Sequence, residues 1–249
     1  TLPYILQRRV LMYAPFVAAQ LVRRDPPDRY VFVYRPAVAA ETAAAVNYLL
    51  NVRRLKPEQI ASLSQADGYG DYGYEGVQKA FRAAHAEAPP LKLTYNNSSV
   101  VDVEEAVAKL VQYQKEHPNA PIKAIVMAPT MRSAAKFIEK TVDAVPGLIY
   151  TAPSGVGASS LADELMLLGP KYANGLVVTQ AVPDPAGYSS GVLEYRTALK
   201  KYFPDEAPNT ISFETYLETL ILMEGFRRAG PQFDTEKLVD ALESIKGFD

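Results

Sequence analysis

The chain has 249 residues, is 48% hydrophobic and carries a net charge of −2. That is enough apolar chain for a sizeable core, as one large domain or two of ordinary size, and the charge balance argues against a nucleic-acid surface, which needs clustered Lys and Arg. Cys is absent, so disulfides, thiolate metal sites and a Cys nucleophile are excluded, and no apolar run reaches the ~18 residues of a membrane span.

The start, TLPYILQRRVLMYAP, has charges where a signal peptide would be apolar and reads as the middle of a protein. Short apolar runs at 10–13, 30–34, 60–64, 91–95, 124–127, 148–150 and 176–179 are expected to be strands. Amphipathic stretches at 39–52, 74–87, 102–117, 132–144 and 158–169 are expected to be helices between them. Asp102 is placed to cap its helix with Glu105 as reciprocal partner, and Pro118-Asn119-Ala120-Pro121 ends it. The spacing is that of βαβ units, which build parallel sheets covered by helices on both faces. AVPDPAGYSSG then reads as a connection. Helices are expected at 192–203, 210–230 and 234–247. The basic pairs Arg8-Arg9, Arg23-Arg24, Arg53-Arg54 and Arg227-Arg228 read as solvated helix ends and loops.

In open α/β sheets ligands lie beyond the carboxyl ends of strands. The loops to watch are therefore 14–17, 65–70, 128–131 and 152–157. They carry no recognisable catalytic set. Ser154 lies in P-S-G-V-G rather than G-x-S-x-G, and both His85 and His117 precede it. Two distant histidines make a poor zinc site. Gly155-Val156-Gly157 lacks the third glycine of a dinucleotide fingerprint, and there is no P-loop. Asp67, Asp71 and Glu75 lack the alternating spacing of a calcium loop. No metal, no cofactor and no enzymatic activity is expected. Small residues, hydroxyls and aromatics in these loops suit recognition of a small organic ligand.

Five segments in order, DRYVFVYRPAVAAETAAAVNYLL, KPEQIASLSQADGYGDYGYEGVQKAF, PSGVGASSL, YANGLVVTQAVPDP and FETYLETLILMEGFRRAG, resemble the type I periplasmic binding proteins. The resemblance is to the branch of leucine/isoleucine/valine-binding proteins of ABC importers. It implies an α/β fold of two parallel-sheet lobes joined by hinge strands, enclosing the ligand between them. Lobe one would take 1–36 and 184–231, and lobe two 37–178 and the tail 232–249. By the same resemblance the chain lacks the N-terminal part of lobe one and the C-terminal end.

The resemblance also implies site residues. Pro15, Phe16 and Val17 match the loop that holds a ligand carboxylate. Tyr69 matches an aromatic over the ligand, Thr130 the next loop, and Phe213 an aromatic pocket wall. Ser154 matches the position of an acid that pairs with a ligand ammonium. Val17 stands where a hydroxyl residue is expected, and Ser154 offers no charge. A ligand other than a plain α-amino acid, such as an aromatic or aliphatic carboxylate, is therefore expected unless Asp67 turns inward as a substitute. The implied role is a periplasmic or lipid-anchored, monomeric solute-binding protein that delivers its ligand to a membrane permease. The alternative is the extracellular sensor domain of a signalling receptor.

Overall fold

The computed structural model describes residues 2–97 and 101–248. The chain divides into two compact units, residues 1–35 with 180–249 and residues 36–179. The chain opens with α1 (Leu2–Arg8), β1 (Met12–Tyr13) and β2 (Val31–Phe32). The second unit follows with α2 (Val38–Asn51), β3 (Ile60–Gln65), α3 (Gly68–Ala83), β4 (Leu91–Asn97) and β5 (Val101–Asp102). It continues with α4 (Glu104–Glu116), β6 (Ala124–Ala128), α5 (Met131–Thr141), β7 (Ile149–Ala152), α6 (Ala158–Leu168), α7 (Pro170–Ala173) and β8 (Leu176–Val178). The chain then adds α8 (Ser190–Tyr202), α9 (Thr210–Ala229) and α10 (Thr235–Glu243) to the first unit.

The second unit is a six-stranded sheet in the order β5-β4-β3-β6-β7-β8, parallel except for the short edge strand β5. Every residue of β6 and the first five of β3 are buried, because helices cover both faces. Ala61 and Leu63, in register with Ile125 and Met127, pack under α4, α5 and α6. Ile60, Ala124 and Val126 face α2 and α3 on the other side. Leaving out the β5 hairpin, the strands run 2-1-3-4-5 in chain order, so the connections reverse direction between β3 and β6. Ligand crevices of doubly wound sheets open at such a reversal.

Helix α3 starts at Gly68, six residues before its expected start, because Asp67 caps it: its carboxylate accepts from the N–H groups of Tyr69 and Gly70, each at 3.0 Å. The Gly/Tyr-rich stretch is thus helix, and its glycines bring α3 against its neighbours. A Cβ on Gly73 would lie 2.4 Å from Ala128 Cβ, and one on Gly76 only 2.0 Å from the Ala39 carbonyl oxygen of α2. Thr42 donates its hydroxyl to the Gly73 carbonyl at 2.7 Å across the same contact. Helix α4 begins two residues later than expected, with Val103 rather than Asp102 at its N-cap; Asp102 lies one residue outside and accepts from the Glu104 N–H at 3.0 Å, and the Glu105 return is not formed among the described bonds.

In the first unit β1 and β2 pair in parallel, and α8 and α9 share a core of Val192, Tyr195 and Phe213. The tail, expected in lobe two from residue 232, groups here instead. Gly225 of α9 is the reason: a Cβ there would meet Leu242 at 2.6 Å, so α10 packs directly on α9. Arg29 holds the same helix through Glu236, Asp240 and Glu243, which lie on one face at helical spacing. Replacing Gly76 by Val should overpack the α2–α3 contact and lower the stability of the second unit by about 3 kcal/mol, read as a shifted midpoint in urea unfolding. Gly68→Ala, where a Cβ meets nothing within 4 Å, is the control.

Candidate functional site

The carboxyl ends of β3, β6 and β7 form one edge of the second unit, and three of the seven expected residues lie on it. Tyr69 is half-buried in the first turn of α3. Thr130 is exposed just after β6 and precedes α5. A hydrogen-bond network joins their loops. The Thr130 N–H donates to the Tyr95 hydroxyl at 3.1 Å, and that hydroxyl donates to Gln65 Oε1 at 3.2 Å. The Gln65 amide donates in turn to Asp67, whose other carboxylate oxygen caps Tyr69. Tyr95 comes from β4 and is 3% exposed; burial raises its pKa above the usual phenol value, so its hydroxyl remains a donor at neutral pH. Sequence reading missed Tyr95, and placed Gln65 in a loop to watch without singling it out. It left open that Asp67 substitutes for a missing acid, but both Asp67 oxygens are engaged in capping and the network.

Ser154 is 6% exposed and opens a single 3-10 turn, Ser154–Val156, after β7. Gly157 ends that turn at φ 74°, a conformation that favours glycine, and α6 starts at the next residue. The Ser154 N–H donates at 2.7 Å to a carboxylate oxygen of Glu41, from the first turn of α2. The Thr179 hydroxyl donates to the same oxygen. The Ser154 backbone donor is thus already used, by an acid that no motif singles out.

Pro15, Phe16, Val17 and Phe213 belong to the first unit. The loop after β1 folds back on itself: the Val17 N–H donates to Pro15 O at 2.7 Å. Arg23, read from sequence as a solvated cation, instead donates to the carbonyls of Val17, Ala19 and Arg35 at 2.9, 2.7 and 2.9 Å. Phe16 is 55% exposed, and its ring lies 3.7 Å from the Arg35 guanidinium. That guanidinium is buried beside Glu214, Nη1 to Oε2 3.3 Å. Burial, and then the neighbouring Glu214, raise the Glu218 carboxyl above its usual range, against the pull of Arg35. Phe213 is placed in the α8–α9 core, its ring 4.8 Å from that of Tyr195; the α9 residue paired with Arg35, against which Phe16 lies, is its neighbour Glu214. Among the described residues no group of His, Asp and Glu could hold a metal, and no helix is long and apolar enough to cross a membrane.

A periplasmic binding protein model matches residues 1–249. The chain belongs to the periplasmic binding protein family. A solved structure of a possible leucine/isoleucine/valine-binding protein from Rhodopirellula baltica is 30% identical, with a TM-score of 0.84 over 99% of this chain and 64% of that one. A branched-chain amino acid ABC transporter protein from Thermus thermophilus with bound valine is 16% identical, at a TM-score of 0.70 over 98% and 61%. A solute-binding protein from R. palustris in complex with benzoate is 14% identical, at 0.74 over 98% and 62%. The chain thus spans less than two thirds of the length of these periplasmic binding proteins. Comparison with curated proteins finds no match. The family and these neighbours are solute-binding proteins rather than enzymes, and the type I periplasmic binding fold of the sequence reading holds.

Two expectations follow. Removing one partner of the buried Arg35–Glu214 pair by Arg35→Ala should cost about 3–5 kcal/mol, while the apolar double variant Arg35→Met with Glu214→Met should cost far less; guanidinium unfolding of the three proteins checks this. Asp67→Ala should cost about 1 kcal/mol by uncapping α3, with loss of amide protection at Tyr69 and Gly70 in hydrogen exchange.

Proposed function

We propose that the chain is the ligand-binding part of a solute-binding protein of an ABC-type importer, located in the periplasm or held outside the cell by a lipid anchor. It takes a small organic ligand, an amino acid or an aromatic or aliphatic carboxylate, and passes it as a monomer to a membrane permease. One observation carries this reading: the loops at the β3–β6 reversal present Tyr69 and Thr130 on a single hydrogen-bonded network at the edge where doubly wound sheets bind ligands. A network held by side chains from β3, β4 and the N-cap of α3 keeps its shape before a ligand arrives, which lowers the ordering cost of binding. The proposed contacts are Tyr69, Thr130 and Ser154 from the second unit with Pro15, Phe16, Val17 and Phe213 from the first. The valine and benzoate held by the two related proteins bracket the ligand chemistry.

The test is a thermal-shift screen of the full-length protein against amino acids, aromatic acids and aliphatic acids. A true ligand at a hundred times its Kd should stabilise by about 2.7 kcal/mol. Tyr69→Ala should weaken that ligand about tenfold, the loss of one aromatic contact. A screen in which no small organic compound shifts the transition would overturn the reading.

A further inference from the structure

The second unit holds a cavity at the end of its sheet opposite the loops described above. Ile60 opens β3, Leu91 opens β4 and Ile122 stands just before β6, and all three line it. The six residues of β3, about 20 Å of strand, separate it from the loop that leads to Tyr69. Its volume is ≈ 580 Å³, within the range of small-molecule pockets. All of its lining belongs to one compact unit.

The floor is apolar. Ile60, Phe81 and Ile122 are at most 3% exposed, and Tyr113 of α4 adds an aromatic wall. The rim is acidic. Glu58, from the turn before β3, and Glu87, from the connection after α3, are exposed and line the cavity. Neither side chain forms an ion pair or hydrogen bond among the described residues. No Lys or Arg is among the lining residues.

The backbone adds to this charge. Phe81 and Ala84 line the cavity at the C-terminal end of α3, the negative end of the helix dipole. The chain leaves that end through His85 at φ 53°, and the Ala86 N–H donates to Phe81 O at 3.1 Å. This is the left-handed turn that closes a helix, and it brings the segment 85–90 round as one side of the cavity. Tyr74 fixes the far end of that segment by donating its hydroxyl to Pro90 O at 3.0 Å. The side is therefore held at both ends before any ligand arrives. An anion here would meet two carboxylates and a helix C-terminus. A cation with an apolar body suits both the rim and the floor.

We propose that this cavity is a second ligand site, which takes a small organic cation with an aromatic body: the charge lies at Glu58 and Glu87, and the ring lies against Ile60, Phe81 and Ile122. The site is separate from the loops at the β3–β6 reversal and stands independently of the role proposed for them. Both acids are exposed, so the charged part of the affinity falls as salt rises.

The experiment is calorimetric titration of the full-length protein with two matched pairs, benzylammonium against benzyl alcohol and phenethylammonium against 2-phenylethanol. At low salt at least one cation should bind about fivefold or more tightly than its alcohol, the preference that two exposed charge contacts supply. Glu58→Gln with Glu87→Gln should remove that preference. Ala88→Trp, at an exposed lining position, should fill the cavity and abolish binding of the cation. Tyr69→Ala, at the other end of the sheet, should leave it unchanged. Thermal unfolding checks that each variant is folded, and the substitutions at 58, 87 and 88 replace exposed side chains. Equal binding of cation and alcohol, an unchanged preference in the double Gln variant, or cation binding retained in Ala88→Trp overturns the site. Loss of cation binding in Tyr69→Ala places the probe at the other end of the sheet and also overturns it, as does the absence of binding by both cations at millimolar concentration. None of these outcomes bears on the solute-binding reading, which the thermal-shift screen tests separately.

Discussion

A parallel strand covered on both faces can present chemistry only at its ends. That constraint governs the second unit. Strands β3 and β6 are buried along their length, so their backbone groups are consumed by the ladder and their side chains by the two cores. What remains is the edge where the strands give way to loops, and there the order of connections separates the loop after β3 from the loop after β6. Tyr69 and Thr130 sit at that point, in the first turn of α3 and just before α5. The close approach of α3 to α2 and Ala128, which Gly73 and Gly76 allow, holds the first of these loops against the sheet.

The same constraint explains how charge is handled. Both units bury an acid near the carboxyl end of their strands, and they satisfy it differently. In the first unit Glu214 has Arg35, whose guanidinium is further covered by the Phe16 ring. The pair thus stands beside the loop after β1. In the second unit Glu41 accepts from the Ser154 N–H and the Thr179 hydroxyl and forms no ion pair among the described residues.

Much of this architecture is legible in the sequence, since hydrophobic period and turn residues report local preference directly. All seven expected strands are present, some shorter than expected, and the long helices lie where their apolar spacing puts them. What escapes is what depends on few residues or on distance. Strand β5 has two residues and α7 four, too short to show a period. The early start of α3 follows from one capping carboxylate outweighing a Gly/Tyr-rich composition. The placement of the tail depends on Leu242 finding the gap left by Gly225.

The site follows the same division. Ser154 and Tyr69 are visible because their turns have a local signature. Glu41 is not, because in AAETAAAV it looks like any polar position on a helix, and its partner Ser154 is 113 residues away. Tyr95 likewise reads as an ordinary strand aromatic until its hydroxyl is seen between Thr130 and Gln65. The hydrogen bonding at a turn is set by every element that reaches it, so a side chain carried on a helix behind the sheet escapes a reading made loop by loop.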